Sequence, residues 1–522
     1  MNNKQWILIL IVVCELFTLS TINAQVKIAQ PPNIIIILAD DMGYGDVSSN
    51  NPYARIRTPN IDKMAQQAIV FTDAHAGAAV CTPSRYGLIT GRYAFRVPPY
   101  HGFLGYLPPL IEQGRETIGS LMQRSGYSTA CIGKWHEGLN WELKDDTKPL
   151  IPGQKDKTAT NTDFTQKVNG GPYSLGFEYS YILPASLDMP PYVFVKNNRV
   201  VDPDVILTVD AYPKTLPSTV PAWDRKKITD NDIYWERGVW WRNGEMSKSF
   251  KMEDCFDIIV NEGVSFIKNQ TKNNPKKPFM LYLALTGPHT PWLPENKFKG
   301  KTILGTYGDF ILQIDDVVKQ INNTLKSLKI YENTIVIFSS DNGAPWAEDD
   351  IQAYAQQSNY SRRGQKGDIW DGGHHMPLII QWPAQIKKKF TYSHTVSLVD
   401  LMATFSEMTG QPIKKPYGED SYSFYKVLKD QSKTSVRDNI IYISSRGLLA
   451  IKKDGWKYID GLGSGGFTNP SRVHPVKGGP LGQLYNINID PMESNNLYLS
   501  NTAKVKELSE LLQKLKMQGY SR

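Results

Sequence analysis

The runs IIIIL (34–38), STACIG (128–133), FMLYLAL (279–285) and TIVIFSS (334–340) restrict the fold more than any other feature. Each is short and apolar, so each reads as a strand of a parallel sheet, buried on both faces. Helical patterns separate them. TPNIDKMAQQAIVF, with Asn60 as its cap, is one, and ETIGSLMQRSGY is another. The longest, GDFILQIDDVVKQINNTLKSLKI, places Ile311, Ile314, Val318, Ile321, Leu325 and Leu328 along one face. Strands alternating with helices predict an α/β fold with a mostly parallel central sheet flanked by helices.

Each run ends in residues capable of chemistry: Asp40 and Asp41, Lys134 and His136, Gly287-Pro288-His289, and Asp341 with Asn342. Asp and Asn also favour turns, so any one pair alone would be read as a strand exit. Ligands of open parallel sheets bind beyond the carboxyl ends of the strands. Four such ends predict one shared site.

Lys4, an apolar run from Trp6 to Leu19 and small or polar residues near Ala24 have the layout of a secretory signal peptide over residues 1–24. The apolar stretch is shorter than the roughly 20 residues of a membrane span, and an uncleaved anchor is the alternative. Cys14 would suit a lipid anchor, but bulky Val13 precedes it, so export to the periplasm or medium stands ahead of lipidation. No later run is long and apolar enough for stable membrane insertion. The remainder divides into a large domain over 25–430, with a loop-rich insert at about 140–275, and an α+β unit over 431–522. In the latter, RDNIIYISSRGLLAIKKDGWKYID reads as antiparallel strands and TAKVKELSELLQKLKMQ as an amphipathic helix. The insert carries Tyr192, Trp223, Tyr234, Trp235, Trp240 and Trp241, which could stack on sugar rings or serve as core.

The net charge of +8 favours polyanionic partners, but the basic residues are scattered and the KKK at 387–389 is short, so nucleic-acid binding gains no support. Of the four Cys, three follow the leader. Cys131 and Cys255 could bridge, which would leave Cys81 single.

Asp40, Asp41, Asp341 and Asn342 offer oxygen donors only, a set that selects Ca²⁺ or Mg²⁺ over zinc. Cys81 opens a helix with Pro83 in its first turn, where the helix terminus would favour an anionic thiolate. A soft thiolate is nevertheless a poor companion for three carboxylates and a hard cation.

Cys81-Thr82-Pro83-Ser84-Arg85, continuing to Gly91-Arg92, resembles the signature of the type I, formylglycine-dependent sulfatases of the alkaline-phosphatase superfamily. Asp40-Asp41-Met42-Gly43, Gly133-Lys134-Trp135-His136, Pro288-His289-Thr290-Pro291, Ser340-Asp341-Asn342-Gly343 and Arg363-Gly364-Gln365-Lys366 resemble further elements of that family, in order. The resemblance implies an alkaline-phosphatase-like domain and oxidation of Cys81 to formylglycine by a formylglycine-generating or sulfatase-maturing enzyme. It further implies Ca²⁺, ahead of Mg²⁺, on Asp40, Asp41, residue 81, Asp341 and Asn342. A hydroxyl of the hydrated aldehyde would attack sulfur, with Arg85 holding it. Lys134, His289 and Lys366 would grip the sulfate, and His289 or Lys366 would protonate the leaving oxygen. His136 would take the proton from the second hydroxyl, expelling sulfate.

Ser186 stands where the family often places a polar residue near the sulfate, or is a loop serine; Asp188 would face the sugar or cap a turn. Asp371-Gly372-Gly373-His374-His375 departs from the family's Glu-Gly-Gly-x-Arg, so His374 and His375 are read as substrate contacts or packing. The expected substrate is a sulfated carbohydrate. The alternatives are a phosphoester or phosphonate-ester hydrolase of the same superfamily, and a catalytically silent glycan-binding protein on this fold.

Overall fold

The computed structural model describes residues 30–97, 105–150, 159–212 and 238–522. The expected leader, Trp223, Tyr234 and Trp235 lie outside the described residues. In chain order the main sheet comprises β1 (Asn33–Asp40), β2 (Ala68–Phe71), β3 (Ser128–Lys134), β4 (Tyr179–Leu183), β5 (Val195–Lys196), β6 (Arg199–Val200), β7 (Phe279–Pro288), β8 (Thr334–Ser340), β9 (Leu378–Gln381) and β10 (Phe390–Tyr392). The spatial order is β10-β2-β9-β8-β1-β7-β3-β4-β5-β6. The central five, β8, β1, β7, β3 and β4, run parallel. All four apolar runs are therefore strands, and their carboxyl ends open on one edge of the sheet.

Helices cover both faces: α1 (Pro59–Ala65), α2 (Cys81–Thr90), α3 (Ile118–Arg124), α4 (Cys255–Asn273) and α5 (Gly305–Ser327). Along β1, Ile34, Ile36 and Leu38 enter one core, while Ile35, Ile37 and Ala39 enter the other. Such a strand can present no polar face, which is why it reads as an unbroken apolar run. The α5 stripe packs as its period requires, with Ile311, Ile314, Val318, Ile321 and Leu325 fully buried.

TPNIDKMAQQAIVF is not one helix. α1 ends at Ala65, and Ala68–Phe71 becomes β2, wholly buried between β9 and β10. Ile69, Val70 and Phe71 suit a pleated surface better than a helix. The N-cap is Thr58 rather than Asn60; Asn60 instead donates from its backbone N–H and its side-chain amide to Asp315. The loop-rich character expected to 275 stops at Cys255, where the 19-residue α4 begins. Cys131 and Cys255 belong to opposite cores and both thiols are free, so the envisaged bridge does not form. Tyr192 and Trp241 are core residues rather than exposed sugar platforms.

Beyond the main sheet, β11 (Asn439–Ile443), β12 (Leu449–Lys453), β13 (Trp456–Ile459) and β14 (Gln483–Asn486) form an antiparallel sheet. On it packs α6 (Thr502–Met517), through Leu508, Leu512 and Leu515. Among the described residues no helix is long and apolar enough to cross a membrane.

Candidate active site

The ends of β1 and β8 are stitched together by their own side chains. The β1–β7 register breaks between Leu38 and Asp40, a bulge that redirects the strand end. Asp41 then takes φ 69°, a costly conformation for a non-glycine residue, and His136 beyond β3 takes φ 59°. The Asp41 N–H donates to Asp341 Oδ1 at 3.1 Å and the Met42 N–H to Ser340 Oγ at 2.9 Å. Asn342 Nδ2 donates to Asp41 Oδ1 at 2.7 Å.

Cys81 is the first residue of α2, and its Sγ lies 3.4 Å from Asp40 Oδ1 and 3.9 Å from Asp41 Oδ1. One turn on, Arg85 donates from Nε and Nη2 to Asp341 Oδ2 at 3.0 and 2.7 Å, and from Nη1 to the Lys134 carbonyl at 3.3 Å. Lys134 Nζ reaches Asp40 Oδ2 at 2.6 Å, and Lys366 Nζ reaches Asp41 Oδ2 at 2.7 Å. Close packing of β3 on β7 sets the Lys134 position: a Cβ on Gly133 would lie 1.9 Å from the Ala284 carbonyl oxygen.

His289 follows β7. Its Nδ1 donates to the Thr290 carbonyl at 2.6 Å, which fixes the tautomer, and lies 3.3 Å from Ser186 Oγ and 3.8 Å from Asp188 Oδ1. Its Nε2 lies 3.7 Å from Asp41 Oδ2. His136 is tied to the start of α2, its carbonyl accepting from Thr82 Oγ1 at 3.0 Å. Eleven of the residues singled out in the sequence thus share this pocket through the contacts above, and His136 adjoins it through Thr82.

His374 and His375 do not join them and pack in the interior instead. Both are buried; both ring nitrogens of His374 and the Nε2 of His375 are engaged inside the protein. His374 Nδ1 meets His75 Nδ1 at 3.1 Å, its Nε2 meets the Ile369 carbonyl at 3.1 Å, and its ring stacks on Tyr442 with centroids 3.9 Å apart. His375 Nε2 donates to the Thr72 carbonyl at 3.0 Å. Asp371 beside them binds Lys457 Nζ at 2.8 Å, which also contacts Glu493 at 2.9 Å.

Burial pushes the Cys81 thiol well up. Lys134 and Lys366 oppose this, while Asp341 and Asp40 add to it. The plain thiolate nucleophile therefore has no support in this environment. Burial also pushes Asp40 up, but Lys134, His289 and Arg85 overcome it and hold the carboxylate below its usual range. Burial, then the charges of Lys134 and Arg85, drives His136 well down, so its imidazole is neutral at pH 7. Asp188 is pushed up by burial but held below the usual range by His289 and Arg242, whose Nη1 lies 2.5 Å from Asp188 Oδ2.

The donor set fits a hard divalent cation. Asp40, Asp41 and Asp341 are buried together, donor atoms of Asp40, Asp41, Cys81 and His289 all lie within 4.8 Å of one another, and Asn342 Oδ1 is buried with no hydrogen-bond partner. The nearby Arg85, Lys134 and Lys366 balance the three carboxylates, so an incoming anion would need charge beyond what these side chains supply. Arg242 was not singled out in the sequence, and Thr82 and Ser340 were named there only as motif members without a role of their own. Arg242 carries no local signal; it meets the site through its ion pair with Asp188.

The sequence matches the family model described as Sulfatase over residues 32–411. It is 34% identical over 513 residues to the N-acetylgalactosamine-6-O-sulfatase of Bacteroides thetaiotaomicron, covering 94% of each chain. It is 26% identical to the N-acetylgalactosamine-6-sulfatase of Mus musculus, covering 82% of this chain and 72% of the relative. A solved structure titled for the metabolism of multiple glycosaminoglycans by Bacteroides thetaiotaomicron superposes with a TM-score of 0.76 at 31% identity, covering 94% of this chain and all of the other.

Proposed function

The chain belongs to the sulfatase family, and from that premise we propose that it removes sulfate from a saccharide, with residue 81 as formylglycine and Ca²⁺ held by Asp40, Asp41, Asp341 and Asn342. The observation that carries this reading is Cys81 lying against Asp40 and Asp41 at the start of α2, with Arg85, Lys134 and Lys366 around the same carboxylates. A leader over residues 1–24 would export the enzyme. The named bacterial relative makes a 6-O-sulfated amino sugar the first substrate to test.

Hydrated formylglycine supplies a hydroxyl nucleophile and a second hydroxyl through which sulfate can be released, and a bound cation makes the first easier to deprotonate. The chain's own side chains do the rest. Arg85 braces Asp341, keeping the carboxylate end of β8 fixed against α2. Lys134 and Lys366 provide ammonium groups where charge develops on the sulfate oxygens. His289 donates its Nδ1–H to the Thr290 carbonyl and presents Nε2 to the pocket, where, carrying a second proton as the imidazolium, it would protonate the leaving oxygen. Neutral His136 is suited to accept a proton. Ser186 orients His289, and Asp188 with Arg242 forms the sugar side.

The test is sulfate release by aldehyde-bearing protein from position-defined sulfated mono- and disaccharides, with matched phosphate esters in parallel. Turnover of a sulfated sugar well above its phosphate analogue is expected. A phosphate preference, or no turnover of any ester by protein shown to carry the aldehyde, overturns the reading.

A further inference from the structure

A cavity of about 560 Å³ opens at the junction of the main sheet's flank and the C-terminal antiparallel sheet, within the range of small-ligand sites. Its lining is rich in hydroxyl and amide groups, including Tyr44, Tyr360, Thr395 and Asn488. Its charges are unequally compensated. Lys452 binds both oxygens of Asp73, at 2.6 and 2.8 Å, and Arg437 lies 3.2 Å from Asp400. Lys453 lies 3.7 Å from Glu507. Asp438 and Asp454 are exposed at the rim.

Arg362 differs from these. Among the described residues no carboxylate lies within 4 Å of its guanidinium, and its Nε is buried with no hydrogen-bond partner. A desolvated donor on a permanent cation is costly to leave unmatched and binds an oxyanion strongly when one is present. Tyr44 stands on the loop that follows Asp40 and carries Asp41, and Tyr360 and Arg362 on the segment leading to Lys366. Two of the segments that build the candidate active site therefore also line this cavity.

We propose that the cavity is a second saccharide-binding site, in which Arg362 receives the oxyanion of an acidic sugar and the surrounding hydroxyls and amides receive its ring oxygens. This rests on the saccharide reading above, of which it is an extension. The sugar's oxyanion is a sulfate or a carboxylate, which the test distinguishes.

The test uses the full-length protein in two forms. With Cys81→Ala, which cannot turn substrate over, calorimetry with a sulfated, a uronate-containing and a neutral disaccharide is compared with and without Arg362→Met. An anionic disaccharide should lose about ten-fold in affinity with Arg362→Met and the neutral one should not change; whichever anion responds identifies the oxyanion. With the aldehyde-bearing enzyme, Arg362→Met should raise KM for a sulfated oligosaccharide about ten-fold, leaving kcat and monosaccharide turnover unchanged, and Arg362→Lys should recover part of the loss. Unchanged binding of every anion overturns the proposal, as does an equal loss on monosaccharide and oligosaccharide, which would make Arg362 a support for the Lys366 loop. Failure of the function reading itself shows separately, as absent monosaccharide turnover with Arg362 intact.

Discussion

Lys457→Met would remove the ammonium that sits between the buried carboxylates of Asp371 and Glu493. Lys457 Nζ lies 2.8 Å from Asp371 and 2.9 Å from Glu493, and all three side chains are at most 1% exposed. Breaking a buried ion pair from one side costs about 3–5 kcal/mol, because the abandoned charge stays desolvated. Here two acids are abandoned, so about 4 kcal/mol is a reasonable centre, equivalent to a fall of about 1 M in a urea midpoint. The sign of the pH dependence follows from Glu493. Burial raises its carboxyl to about 7, Lys457 opposing and Asp371 assisting, above its unfolded value of 4.5. Its contribution to stability is full below the unfolded value and is lost as pH rises through the folded one. Without Lys457 both acids would take up protons more readily, so the deficit should be smaller at pH 5 than at pH 8. Urea unfolding at both pH values, followed by tryptophan fluorescence, measures this. A deficit under about 1 kcal/mol, or one equal at both pH values, would show that the pair is not the desolvated cluster described.

Glu493→Gln should flatten the change in stability between pH 5 and pH 8, read by calorimetry at each pH; an unchanged slope would assign it to another group. Cys81→Ala should abolish turnover with a melting temperature within a few degrees of the parent, since the side chain lost is small; substantial residual sulfate release would contradict the assigned nucleophile. Chelation should lower both activity and melting temperature, with Ca²⁺ restoring them better than Mg²⁺ because the site's donors are oxygens of several loops; full activity after metal removal verified by elemental analysis would refute the cation's role.

The strand exits were legible because a doubly buried parallel strand must be apolar along its length, and the residue after it must leave the sheet. IIIIL followed by Asp40 and Asp41 states both facts in the chain itself. β2 was harder. AIVF continues the apolar period of α1, and only its pairing with β9 and β10, both hundreds of residues later, makes it a strand. His374 and His375 stayed open between contact and packing for a related reason. They follow Lys366 closely in sequence, but the short turn Asp371–Gly373 sends the chain inward, and His374 ends stacked on Tyr442 of the C-terminal sheet. Neither that stacking partner nor the cation Lys457 has any local trace. Likewise Cys131 and Cys255 look equivalent as lone thiols until the sheet places them on opposite faces.

Cys81 is only 4% exposed, and every residue of the helix it begins is buried. A visiting enzyme cannot reach that sulfur without dismantling the sheet edge around it. An enzymatic conversion at this position would therefore have to come before folding, while the segment is still extended, and the finished molecule would carry forward whatever state was set then. A batch made without the converting activity would keep the Cys81 thiol throughout, and later incubation of the folded material would not change that.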